Sequence, residues 1–286
     1  MNIRILCAGL CALLAAGCAS TNQEPRAAAP TIRLYALDCG RLTTTNADAF
    51  ADDGAYAGVA RDLVVPCYLI RHADGDLIWD TGLPESLAAL PEGLAIPLGR
   101  VSMRRTLTSQ LAELGLTPAD IEYLSISHSH FDHIGNGGLF AASTWIVDPD
   151  ERAHAFRPEA RADAQLFPAY AALEQARTRL IDGDAPYDVF GDGSVQIVPA
   201  PGHTPGHTIL MLRLANAGML LLTGDMYHLA ESRAARRVPR FNFNREQTLA
   251  SMDRIEALAA QHNARVIRQH VPEDFAALPA FPAALD

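Results

Sequence analysis

The chain has 286 residues, 49% of them hydrophobic, enough to bury a substantial core as one large domain or two small ones. Formal charge is −10, all 23 basic residues are arginine, and no run of them occurs anywhere. That balance argues against nucleic acid, or an anionic membrane, as the partner of a cationic face.

Residues 1–17 read as an export leader rather than as fold. Arg4 supplies the positive start, and Ile5 to Ala16 form an apolar stretch too short to span a bilayer. The stretch ends in "LLAAGC", which resembles a bacterial lipobox whose cysteine, here Cys18, is lipidated and becomes the mature N-terminus. The competing reading is an ordinary signal peptide cut near Ala19 or Ser20. Ala19 after the cysteine points to the outer membrane, so the expectation is an exported protein, in the periplasm or on the outer membrane as a lipoprotein. Its membrane contact would run only through a lipid on Cys18. Residues 18–30, rich in Pro, Ala and polar side chains, read as a tether, and 31–286 as the folded domain.

In that domain "IRLYALDCG" and "VPCYLIRH" read as strands, and Asp74-Gly75 marks a hairpin into "DLIWDTG". "SMRRTLTSQLAELGL" has helical spacing and stops at Gly115. "PADIEYLSISHSH" gives a short helix and then a strand, Tyr123 to Ser127. "STWIVDPDE" is a strand, and Arg152 to Leu180 is largely helical with breaks at Pro158 and Pro168. "SVQIVPAPGHTPGHTILMLRL" and "GMLLLTGDM" are strands between Gly and Pro turns. "NREQTLASMDRIEALAAQHN" is an amphipathic helix with Leu249, Met252, Ile255, Leu258 and Ala259 on one face, and "ARVIRQH" is the last strand. Strands followed by helix recur in both halves, which predicts an α/β fold of four layers, αββα. Of five cysteines, Cys7, Cys11 and Cys18 lie in the leader. Cys39 and Cys67 are expected to be simply buried, although an exported protein would permit a bridge.

The segment "SHSHFDHIGN" crowds His128, His130, Asp132 and His133 into six positions. His203 in "APGHTPGHT", Asp225 in "LLTGDMY" and His270 in "VIRQHVPED" each follow an apolar strand, where separated side chains can converge on one sheet edge. Five imidazoles and two carboxylates exceed the four ligands of a single structural zinc and match a two-metal site. One carboxylate can bridge ions about 3.5 Å apart. His72, His154 and His262 read as solvated or structural. His207 reads as a support for His203 rather than a ligand. Asp80, after "LIW", is either a residue orienting a ligand histidine or a cap of the turn before Gly82.

The ordered set "HSHFDH", "PGHTPGH", "TGD" and a late histidine resembles the metallo-β-lactamase superfamily over nearly the whole mature chain. The resemblance implies the αββα fold and two divalent ions, Zn2+ in the first instance. His128, His130 and His203 would hold one ion, Asp132, His133 and His270 the other, with Asp225 bridging. A bridging Asp225 is unlike the zinc β-lactamases, and no basic glutathione-binding domain follows His270. "LYALDCGR", "CYLIRHADGDLIWDTGLP" and "GDMYH" followed by "VPRFNFNREQTLASM" are similar to bacterial N-acyl homoserine lactonases.

That similarity implies hydrolysis of a small-molecule lactone by a hydroxide bridging the ions, with Asp132 as proton shuttle. Where those enzymes place a tyrosine three residues after the bridging Asp, this chain has His228. Tyr227 and His228 are therefore both candidates to hold the oxyanion. Gly93 to Gly99 and the pair Phe241/Phe243 are candidates for an acyl groove. A homodimer is left open. The competing readings are another hydrolase of this fold, acting on a β-lactam, thioester or phosphodiester, and a non-catalytic metal-binding lipoprotein.

Overall fold

A computed structural model describes residues 31–181 and 183–286; the leader, Cys18 and the tether lie outside the described residues. Strand β1 (Arg33–Thr44) pairs antiparallel with β2 (Arg61–His72), which turns through Ala73 and Asp74 into β3 (Gly75–Trp79). The hairpin β4 (Leu94–Ile96) and β5 (Gly99–Ser102) extends the sheet beyond β1. On the other side β6 (Tyr123–Ser125), β7 (Thr144–Val147) and β8 (Thr178–Leu180) add parallel strands, so the order is β4-β5-β1-β2-β3-β6-β7-β8. The second sheet holds β9 (Tyr187–Asp188), β10 (Val195–Pro199), β11 (Thr208–Leu214), β12 (Gly218–Leu222) and β13 (Arg265–Ile267), in the order β13-β12-β11-β10-β9.

Alternation along the strands assigns the layers. Leu34, Ala36, Tyr68, Ile70, Leu77 and Trp79 share one buried cluster with Val195, Ile197, Leu210, Leu212, Leu220 and Leu222, so the two sheets face each other. The intervening residues Tyr35, Leu37, Leu69 and Ile78 pack with Leu107 and Leu111 of the Leu107–Glu113 helix. Ile209, Met211 and Leu221 on the outer face of the second sheet meet Met252, Ile255 and Ala259 of the Arg245–His262 helix. This is the four-layer αββα sandwich. Each aliphatic side chain fully buried in it contributes about 1.5–3 kcal/mol. Among the described residues no helix is long and apolar enough to cross a membrane.

Several local expectations are corrected. The stretch expected to be helical from Arg152 to Leu180 is broken at Pro158 and Pro168 into short helices and a 3-10 turn, as read, but it ends in a strand, β8, rather than in helix. Strand β6 stops at Ser125, because the chain leaves the sheet to deliver the histidines. Cys39 and Cys67 are not two buried thiols but one disulfide, with Cα atoms 5.8 Å apart. Pairing sets Leu37 opposite Cys67, and an irregularity in β1 between Asp38 and Arg41 brings Cys39 to its partner.

The topology gathers the chemistry at one edge. Strands β3 and β6 are parallel, as are β12 and β13, and β10 runs the same way as β12. Their C-terminal ends therefore open together, which is where open α/β sheets place ligands.

Candidate metal centre

Five strand ends deliver the polar residues. The turn after β6 carries His128 to His133, β10 leads to His203, β12 to Asp225, β13 to His270, and β3 to Asp80. His130 Nδ1 lies 2.9 Å from His128 Nε2 and 3.1 Å from His203 Nε2. Asp225 Oδ2 is 3.5 Å from both of those Nε2 atoms. The other oxygen, Oδ1, faces the opposite way, 3.2 Å from His133 Nε2 and 2.8 Å from His270 Nε2. Asp132 completes that side, 3.8 Å from His133 Nε2 and 3.7 Å from His270 Nε2. The donor atoms thus form two groups, His128/His130/His203/Asp225 and Asp132/His133/His270, each within 4.8 Å and each able to hold a metal ion.

The hydrogen bonds prepare lone pairs for cations. His133 Nδ1 donates to Asp80 Oδ2 at 2.9 Å, and His270 Nδ1 donates to the Val64 carbonyl at 2.8 Å. The Ser127 hydroxyl donates to Asp80, so it accepts from His128 Nδ1 at 3.1 Å. With each Nδ1 protonated, each Nε2 offers a lone pair to the centre. His133 Nε2 and Asp225 Oδ1 are buried and have no hydrogen-bond partner. Orphans of this kind are costly, and a cation satisfies them. Nitrogen and oxygen donors without thiolate suit zinc and similar divalent ions, so the residues fit the two-ion expectation.

The electrostatics show a centre that draws positive charge. Burial disfavours charge on Asp225, yet His270, His133, His228 and His128 outweigh it and hold the carboxyl well below its usual range. Burial and neighbouring imidazoles push His128 and His130 well below theirs, keeping them neutral. At His133 burial is overcome by Asp225, Asp80 and Asp132, which raise it. Three carboxylates around one imidazole make a well of negative potential.

Asp80 is an orienting residue, not only a turn. Fully buried, it accepts from Ser127 N–H at 2.6 Å, the Ser127 hydroxyl at 3.0 Å, His133 Nδ1 and Gln269 Nε2 at 3.1 Å. Its φ is +57°, a left-handed conformation that aspartate tolerates better than most residues. His207 supports Asp225 rather than His203. Its Nδ1 donates to the Ala200 carbonyl at 3.1 Å and its Nε2 accepts Asp225 N–H at 3.1 Å. Burial, with His203 close by, depresses His207 to about 3. Gly224 permits this approach, since a Cβ there would lie 2.7 Å from His207 Nε2.

The two oxyanion candidates separate. Tyr227 is turned away from the donors: its hydroxyl donates to Glu256 at 2.7 Å, and its ring packs against Met252 and Ile255. The catalytic expectation for Tyr227 is corrected accordingly. His228 points inward, with Nε2 3.0 Å from Asp225 Oδ2 and its ring against Phe50 and Phe241. Among the groove candidates Leu98 and Phe241 line a cavity at the centre, while Phe243 is 61% exposed and lies beside His154. His72 stacks on Phe190 and bonds to Asp192, and His262 is exposed.

One buried residue escaped sequence reasoning. Glu151, 2% exposed in the helix Pro149–Ala155, binds the segments on either side of the first donor group. In "DPDERAHA" it looks like any acid in a helix's first turn.

A family model described as the metallo-beta-lactamase superfamily matches residues 60–261. An N-acyl homoserine lactonase of Rhizobium radiobacter is 31% identical over 252 residues, covering 86% of this chain and 95% of that protein. Another, from Bacillus thuringiensis subsp. kurstaki, is 28% identical, covering 87% and 97%. An N-acyl homoserine lactone hydrolase, solved with N-hexanoyl-L-homoserine at its catalytic metal centre, superposes with TM-score 0.74 at 28% identity, covering 89% of this chain and 100% of the other. With the fold, the donor set and these likenesses in agreement, the chain belongs to the metallo-beta-lactamase superfamily, and the N-acyl homoserine lactonases named above are among its relatives there.

Proposed function

We propose that this protein opens the lactone ring of N-acyl homoserine lactones, using two divalent ions, Zn2+ in the first instance. The observation that carries the reading is a cavity of about 220 Å³ directly on the donor atoms. Leu42, Phe50, Leu63, Leu98, Phe131 and Phe241 form its apolar wall, and His130, Asp132, Asp225, His228 and His270 its floor. An amphiphile with an apolar chain and a polar, hydrolysable ring fits such a site.

His128, His130 and His203 would hold one ion, Asp132, His133 and His270 the second, with Asp225 shared between them. Bound there, the ions supply Lewis acidity and a water ionised near neutral pH. The chain's own residues do the rest. The apolar wall excludes bulk water and seats the acyl chain. His228, kept below its usual range chiefly by burial, is a neutral imidazole whose buried Nε2 has no hydrogen-bond partner. It donates to the oxygen that becomes negative as the carbonyl is attacked. Asp132, on the cavity floor, takes the proton from the attacking water at a carboxylate oxygen and passes it to the alkoxide of the opening ring.

We further place the protein outside the cytoplasm, as a lipoprotein anchored at Cys18. The leader supports this, and so does the Cys39–Cys67 bridge, which is typical of oxidising compartments. The decisive experiment loads the purified chain with Zn2+ or Co2+. It is then assayed on an N-acyl homoserine lactone, a chromogenic cephalosporin, a thioester and a phosphodiester. The lactone is expected to be hydrolysed fastest. Cleavage of another substrate without lactone opening would overturn the reading, and inertness towards all four would indicate a metal-binding protein.

A further inference from the structure

Glu151 forms no hydrogen bond with any donor atom, yet it is buried and accepts four hydrogen bonds. Ser129 gives Oε1 its backbone N–H at 2.7 Å and its hydroxyl at 2.6 Å. Thr204 gives Oε2 its hydroxyl at 2.5 Å, and Gly206 its backbone N–H at 3.2 Å. Ser129 stands between His128 and His130, and Thr204 follows His203. One carboxylate therefore ties together the two separate segments that supply all three histidines of the first donor group. All four donors are neutral. Burying a carboxylate on neutral donors alone is costly. The approach is built into the backbone, because a Cβ on Gly206 would lie 2.4 Å from Glu151 N.

We propose that Glu151 is the positioning residue of the His128/His130/His203 group. It fixes the separation of the two segments and adds a negative charge behind them, so that this group, and not the Asp132/His133/His270 group, depends on it. The inference rests on reading the first group as a metal site, but not on any substrate. Losses from residues supporting metal ligands run to about 10–100-fold in metal affinity.

The test titrates the full chain with Co2+, following its visible absorption and competition by a chelator. Wild type, Glu151→Gln, Glu151→Ala and Thr204→Val are compared, with Asp253→Asn in a surface ion pair as control. Expected is one ion held as in wild type and the other weakened about 10–100-fold by Glu151→Ala, with an altered cobalt band. Glu151→Gln should fall between, because its amide faces Gly206 N–H or Ser129 N–H with a donor. Thr204→Val keeps the question answerable if Glu151→Ala does not fold. Unchanged affinity for both ions in a folded Glu151 variant overturns the proposal, as does equal weakening of both or a wild type that binds no ion. A wild type that opens no lactone but shows the selective loss refutes the lactonase reading and leaves this one standing.

Discussion

Ser127 and Ser129 flank His128, and each gives its backbone N–H and its hydroxyl to a different buried carboxylate. Ser127 serves Asp80, and Ser129 serves Glu151. Asp80 also receives a histidine of the second donor group directly, His133, and sits on a left-handed backbone at the end of β3. The disulfide backs this side: a Cβ on Gly82 would meet Cys39 Cβ at 2.3 Å. Glu151 hydrogen-bonds to none of the donor atoms and holds its side through serine, threonine and glycine alone. The difference teaches that the two halves of the centre are supported in different ways, one through a side chain's tautomer and the other through the spacing of two segments.

The largest effect should come from what both halves share. Asp225→Ala removes the carboxylate whose two oxygens face the two groups, and should abolish turnover and weaken uptake of both ions in a chelator titration. Retention of two tightly bound ions would mean the groups are independent. Next, His228→Phe should lower kcat about 10²-fold, near 2.7 kcal/mol, with little change in KM, as for the loss of one oxyanion donor. Tyr227→Phe should leave kcat unaltered, since its partner is Glu256. Equal effects from the two would erase the distinction between them. Asp80→Asn then sharpens the comparison itself. It should cost about 10–100-fold in affinity at the Asp132/His133/His270 group and spare the other, the mirror image of Glu151→Ala.

The sequence shows one half of this support better than the other. The seven donors could be read because four fall within six positions and three follow apolar strands, so spacing and strand ends place them. Asp80 shared the strand-end signal and stood as one of two readings. Glu151 had no signal: an acid in a helix's first turn complements the helix dipole in any protein, and only the meeting of distant segments gives it a role. Tyr227 and His228 differ by one position, and which of them enters the cavity depends on the 3-10 turn Gly224–Met226, beyond which Tyr227 turns towards the outer helix. The Cys39–Cys67 bond depends on strand register, which composition does not encode. The four layers were legible because the apolar runs of β1, β2 and β3 and the helical spacing after Asn244 are strong local patterns.

The smallest predicted effect tests whether Asp225 is held as its supporting hydrogen bonds suggest. His207 can both donate to Ala200 and accept from Asp225 N–H only as a neutral ring. In the unfolded chain a histidine titrates near 6.5, whereas here burial depresses it to about 3. Between these values the unfolded state binds more protons, so the stability from this group is fully present above about pH 6.5 and is lost as pH falls towards about 3. At one pH unit below the unfolded pKa the loss is about 1.4 kcal/mol. Metal-free wild type and His207→Gln are compared by urea melts across this range. Glutamine keeps an acceptor for Asp225 N–H but cannot titrate, so its acid limb should be shallower by that amount. Identical limbs would show that His207 does not stay neutral, and that Asp225 is fixed by the donors around it rather than from behind.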